Sequence, residues 1–224
     1  MMIAKWTYNL VGLAVLGLML VENAVSDVEI PRYDVIRSAD NIEIREYQPM
    51  LIAEVRMTGE RTDAMGDGFR ILADYIFGNN TVNQEIAMTA PVQQNQSAEI
   101  AMTAPVQQQL NDEGWQVSFV MPSEYTMNTL PMPVNERIEI KPISAKRYVA
   151  IEFSGRNTST NMREHQAELM AYIEANELLV KGAPVYAFYD APWILPFFRR
   201  NEIMMELDST ADTNAELSAS VTAQ

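Results

Sequence analysis

Ile42-Glu43-Ile44-Arg45 returns as Ile138-Glu139-Ile140-Lys141. Ile52-Ala53-Glu54-Val55 returns as Val149-Ala150-Ile151-Glu152, and Leu72-Ala73-Asp74-Tyr75-Ile76 as Leu169-Met170-Ala171-Tyr172-Ile173. The offsets are 96, 97 and 97 residues. The first two words alternate apolar and polar residues, the period of a strand with one wet face. The third belongs to a helix. In each half, strands lead into a helix in the same order. This predicts an α+β fold of two pseudo-symmetric halves. Their mostly antiparallel strands join into one curved, barrel-like sheet flanked by two helices.

The elements around these words follow the same logic. Tyr33–Arg37, Ile42–Tyr47 and Leu51–Met57 read as strands. A helix follows over about Arg61 to Phe77, where Met65, Phe69, Leu72 and Ile76 form one apolar stripe. Ala64, Gly68, Ile71 and Tyr75 form a second stripe beside it. Gly78-Asn79-Asn80 closes that helix with residues that tolerate positive φ. Trp115–Met121, Arg137–Ile143 and Arg147–Phe153 are further strands. A second helix is expected over Ser159 to Val180, ended by Lys181, Gly182 and Pro184. Val185–Tyr189 and Glu202–Leu207 are the last strands.

A second, tighter repeat lies between the halves. Glu85-Ile86-Ala87-Met88-Thr89-Ala90-Pro91-Val92-Gln93-Gln94 recurs unchanged as Glu99 to Gln108. Both copies read as strands, with Pro91 and Pro105 at an edge or a strand end because proline cannot donate to a ladder. The 14-residue offset is even, so either copy would keep the same side chains inward in one slot. The plain reading is a duplication that lengthens a hairpin.

The 224 residues carry a net charge of -14, which excludes nucleic acid as a partner. No cysteine is present, so disulfides and thiolate ligands or nucleophiles are excluded. Residues 1–26 combine Lys5, an apolar run from Leu10 to Val21, and Ala24-Val25-Ser26, the layout of a secretory signal peptide. The expected location is periplasmic or secreted. Contact with a membrane is expected only through this segment, should it stay uncleaved as an anchor. The body of the protein spans 30–207. The Ser/Thr/Ala-rich tail 208–224 reads as disordered.

Four phrases then place the chain. They are Tyr33 through Ile44-Arg45-Glu46-Tyr47; Gly68-Phe69-Arg70 through Phe77-Gly78-Asn79; the doubled Ile-Ala-Met-Thr-Ala-Pro-Val; and Tyr189-Asp190-Ala191-Pro192-Trp193 through Arg199-Arg200-Asn201-Glu202. Ser118 through Tyr125 adds a fifth. In this order and spacing the chain resembles the SOUL family of haem-binding proteins, in its bacterial branch. The resemblance implies non-covalent binding of haem or a related tetrapyrrole in a shallow apolar groove, for buffering or transport. It places that groove between the first helix and the loop before the last strand.

On that reading Met65, Phe69, Leu72 and Ile76 supply one wall, with plain core as the competing role for an apolar helix stripe. Trp193 and Phe197 supply the other wall. Arg70 and Arg199 are candidates for the propionates, beside Arg61 and Arg200. Arg199-Arg200-Asn201-Glu202 also reads as a structural phrase that pairs with carboxylates. His165, the one histidine, sits between Glu164 and Glu168 on the second helix and reads as solvated, so the axial ligand is left unassigned. No Gly-rich phosphate loop, metal signature or nucleophile elbow is present, and no catalysis is expected. Another amphipathic ligand, or a protein or membrane contact through residues 191–198, are the alternative uses of the same residues.

Overall fold

The computed structural model describes residues 28–82 and 97–208. Residues 1–27, where the signal peptide is expected, the first copy of the tandem repeat and the tail from 209 lie outside them. The chain forms β1 (Tyr33–Ala39), β2 (Ile42–Tyr47), β3 (Met50–Met57), α1 (Arg61–Ile76), β4 (Asn80–Thr81), β5 (Val106–Asn111), β6 (Gly114–Val120), β7 (Met132–Pro133), β8 (Ile138–Ile143), β9 (Lys146–Phe153), α2 (Ser159–Ala175), β10 (Val180–Phe188) and β11 (Asn201–Leu207). Nine strands make one sheet in the order β1-β2-β9-β11-β10-β5-β6-β3-β8, every pair antiparallel. The sheet is curved but does not close, since β1 and β8 each have one neighbour. Read outward from the β5–β10 pair, one side runs β6, β3, β8 and the other β11, β9, β2, so the strands carrying the long repeat take corresponding places.

Both helices lie on one face. Ala53, Val55 and Met57 of β3 and Val117 and Phe119 of β6 pack against Ala64, Leu72, Tyr75 and Ile76 of α1. Val149, Ile151 and Phe153 of β9 with Ile203 and Met205 of β11 pack against Met162, Leu169 and Ile173 of α2. The opposite face has no helix, yet Tyr47, Ala150, Val185, Ala187 and Met204 are buried there in a third cluster. The sheet buries both faces because it curls around the helix-free one. The alternation expected to mark one wet face instead separates an apolar helix-covered face from a curled face that carries buried, paired polar residues such as Arg45, Glu54 and Glu202.

Two local expectations are corrected. α2 stops at Ala175, not Val180. Glu177 takes φ 54°, its N–H reaches Glu174 O at 3.1 Å, and Leu178 N–H reaches Ile173 O at 3.0 Å. This is a Schellman closure, and Leu178 packs back onto the α2 core. Lys181, Gly182 and Pro184 therefore lie in β10, where the pairing with β11 slips between Lys181 and Val185. Second, the repeat copy 99–108 is strand only from Val106. Before it the chain is pinned without a ladder: Ile100 N–H bonds Ile76 O at 2.8 Å, Ala104 N–H bonds Glu29 O at 2.9 Å, and Thr103 Oγ1 donates to Val120 O. The curved, barrel-like sheet follows expectation, and among the described residues no strand bridges β1 to β8, so it stays open. The close of α1 follows expectation, with Gly78 at φ 116° and Asn79 N–H on Asp74 O at 3.1 Å.

Gly68 sets how near α1 approaches the sheet. A Cβ there would stand 2.7 Å from Val117 Cγ2 and 2.8 Å from its Cβ. Val117 is branched and fully buried, so it cannot swing aside. Gly68→Ala is expected to destabilise the fold by about 1–3 kcal/mol in urea unfolding. Adding Val117→Ala should recover part of the Gly68→Ala loss, as a double-mutant cycle would show.

Candidate functional site

Residues 189–200 connect β10 to β11. The apolar part of this connection, Ala191 to Phe198, stands out of the molecule: Trp193 is 82% exposed and Phe197 64%, and Leu195 and Phe198 are exposed as well. A short 3-10 turn at Pro196–Phe198 sets the Phe197 and Phe198 rings 4.4 Å apart. So large an exposed apolar cluster is unusual on a folded surface.

The loop is held stiffly from below. Arg199 Nε donates to Ile194 O at 2.8 Å and its Nη2 donates to Pro192 O, so this guanidinium ties the loop to itself. Arg200 N–H donates to Asp190 Oδ2 at 2.6 Å, and Tyr189 N–H reaches Arg200 O at 3.3 Å, which pinches the base. Gly155 N–H bonds Pro196 O at 2.8 Å, and Arg61 Nη2 donates to Asn157 O at 2.7 Å. The segment 155–157 thus links the loop to the first turn of α1.

Beneath the base lies a buried polar network. Glu202 is 0% exposed. Its Oε1 accepts from Arg45 Nη1 at 2.9 Å and Arg200 Nη2 at 2.6 Å, and its Oε2 accepts from Tyr189 Oη at 2.7 Å. Arg45 also meets Glu43 at 2.7 Å and lies 4.5 Å over the Tyr33 ring; Arg200 also meets Glu152 at 3.0 Å and stacks 4.1 Å over Tyr189. Burial alone would lower the Arg45 guanidinium, but the Glu202 charge and Tyr47 outweigh it and hold it up. Burial pushes the Tyr47 phenol up to about 12, with the Glu202 charge adding to it. Burial followed by Glu202 raises Tyr189 too, and burial raises Tyr75 and Tyr148.

The residues expected to bind a ligand separate into two groups. Leu72 and Ile76 are sealed in the α1 core and present no surface. Phe69 is half-buried, its ring 5.5 Å from Phe119, and Met65 sits at the seam where both helix-side clusters meet. Trp193 and Phe197 are open. Arg70 is exposed, and among the described residues it pairs with Asp67 alone, one helical turn away at 2.7 Å. Arg199 spends its donors on loop carbonyls. Arg200 takes the structural role, pairing with carboxylates.

A tetrapyrrole's macrocycle fits an exposed aromatic face of this kind, and Arg70 offers a cation. An axial histidine does not: the ring of His165 stacks on Phe153 at 4.2 Å and bonds Glu168 at 3.3 Å on α2. Among the described residues no cluster of three His, Cys, Asp or Glu side chains could hold a metal. Asp63, Asp67 and Asp74 do not assemble a site either, since Asp67 is paired with Arg70 and Asp74 accepts from Asn79. The network residues Tyr33, Arg45, Tyr47, Tyr189, Asp190 and Glu202 were not singled out by function. Their signal was present as the polar members of otherwise apolar strand phrases.

Glu202→Gln removes the carboxylate shared by the buried Arg45 and the half-buried Arg200, and a loss of about 3–5 kcal/mol is expected in denaturant unfolding. The tyrosines add a pH dependence. Tyr47 is folded with its pKa near 12 against 10 in the unfolded chain, so its stabilising effect is intact below pH 10 and lost as pH rises toward 12. Absorbance at 295 nm should show Tyr47, Tyr75, Tyr148 and Tyr189 ionising together with unfolding; free titration of all nine tyrosines near pH 10 in a folded protein would contradict this.

The fold is similar to the C-terminal domain of EcmrR, at 14% identity over 79% of this chain and 98% of that one, with a TM-score of 0.53. A hydrolase from Listeria innocua aligns at 11% identity over 77% of this chain and 94% of that one, with a TM-score of 0.46, too low to bear on activity. No curated protein matches the chain. Residues 28–206 match the family model for the SOUL heme-binding protein, a family of haem and tetrapyrrole binders and generally not of enzymes. With nearly the whole described body inside that match, and with the polar members of its phrases meeting around Glu202, the chain belongs to the SOUL haem-binding protein family.

Proposed function

We propose that this protein binds haem or a related tetrapyrrole reversibly and without catalysis, on the face made by the 191–198 loop and the exposed flank of α1. The observation that carries the reading is the stiff, exposed set Trp193, Leu195, Phe197 and Phe198. A flat apolar ligand covering these rings removes their surface from water, worth on the order of 1.5–3 kcal/mol per fully covered side chain. The loop pays little ordering entropy because Arg199, Asp190 and Gly155 already hold it. Arg70 serves a propionate, and Met65 and Phe69 edge the macrocycle. The role is buffering or transport in the periplasm or outside the cell, after removal of residues 1–26.

Haemin titration followed at the Soret band and by tryptophan quenching tests this. Trp193→Ala with Phe197→Ala should weaken binding roughly tenfold to a hundredfold while leaving the melting temperature within about 2 °C, since both side chains are exposed. Because no histidine faces this surface, metal-free protoporphyrin should bind within about threefold of haemin. Saturable binding that is unchanged in the double variant would remove the loop from the site. Absence of any saturable binding, with the loop variant failing instead to associate with vesicles or a protein partner, would favour a contact surface over a carrier.

A further inference from the structure

Two cavities adjoin the sheet, the smaller on its helix-free face and the larger at the strand ends, and none of their lining residues belongs to α1 or to the 191–198 loop. The larger holds about 300 Å³ where residues 29–32 cross the ends of β3, β6 and β8, and its walls include Ile30, Leu51, Val120 and Tyr125. The smaller holds about 150 Å³, with Ile52, Tyr148, Val185 and Met204 among its apolar lining and Gln107, Gln109, Gln116 and Ser118 among its polar lining. Met50 and Ile143 line both and stand between them. A methionine there is a flexible partition rather than a rigid wall.

The charges are unevenly spent. In the larger cavity Glu29 is engaged, its Oε1 accepting from Ser123 N–H at 3.0 Å. Lys146, beside the smaller cavity, is held by Glu206 at 2.8 Å. Within that smaller cavity the carboxamide of Gln116 donates to Glu54, which Lys141 neutralises. Arg32, exposed at the rim of the larger cavity, has no side-chain partner among the described residues. A two-chambered cleft, largely apolar in the larger chamber and half polar in the smaller, therefore carries one unpaired cation at its mouth.

We propose that the two chambers form one site for a single-chain amphiphile with an anionic head, a fatty acid being the simplest. The carboxylate pairs with Arg32, and the chain runs past Met50 to end beneath Tyr148 and Met204. An alkyl chain can pass between the chambers because the Met50 side chain is a flexible partition. At about 30 Å³ for a water-sized group, the chambers take roughly ten to fifteen chain carbons.

Calorimetric titration of the full chain with laurate and octanoate, both below their micelle concentrations, tests the site. Expected are one saturable laurate site, laurate at least tenfold tighter than octanoate, and at least a tenfold loss of laurate affinity in Arg32→Glu. Met50→Trp should erase the advantage of laurate over octanoate, and Ile143→Trp should do the same if Met50→Trp does not fold. Haemin binding should be unchanged in Arg32→Glu and in the folded tryptophan variant. The proposal is overturned by absence of saturable laurate binding, by equal binding of dodecyltrimethylammonium, or by laurate binding that fails in Trp193→Ala and survives the cleft variants.

Discussion

The structure depends on one buried carboxylate. Glu202 lies on β11 with no solvent exposure, on the face of the sheet that no helix covers. A charge placed there would be untenable alone, because taking a carboxylate out of water costs several kcal/mol. Arg45 from β2, Arg200 at the foot of β11 and Tyr189 after β10 surround it with donors. Each donor enters from a different part of the sheet. Satisfying Glu202 therefore fixes how β2, β10 and β11 curl together, and the third apolar cluster with Tyr47 and Met204 forms beside it.

The same network sets up the exposed loop. Arg200 bonds both Glu202 and, through its backbone, Asp190, so the two ends of the β10–β11 connection are anchored to the buried charge. Arg199 then folds the loop on its own carbonyls. With its base fixed, the loop can hold Trp193 and Phe197 in water without collapsing them onto the sheet. Stability on the curled face and exposure on the rim are consequences of adjacent residues in one phrase, Arg199-Arg200-Asn201-Glu202. Asn201 completes it by donating to Gly155 O at 3.1 Å, on the segment that also holds Pro196.

Much of this was legible in the chain. Alternation in Ile42–Tyr47, Leu51–Met57 and Arg147–Phe153 located strands because those residues divide between two differently covered faces. The end of α1 was legible because Gly78 alone supplies the required left-handed turn cheaply. The end of α2 was not, because Glu177 adopts that conformation despite its side chain, with Leu178 packing to stabilise the turn. Gly182 and Pro184 imitated a helix stop while belonging to a slipped strand pairing.

Sequence by itself determined the α+β class, the order of its strands and helices, and an apolar loop too rich for an ordinary connection. These depend on periodicity and composition, which are local. Only the tertiary structure decided that Leu72 and Ile76 are core while Trp193 and Phe197 are open, that Arg199 serves its own loop, and that Arg45, Tyr189 and Arg200 share one carboxylate. Those outcomes depend on which strands become neighbours and on which side the sheet curls, and residues 157 positions apart carry no local mark of their meeting.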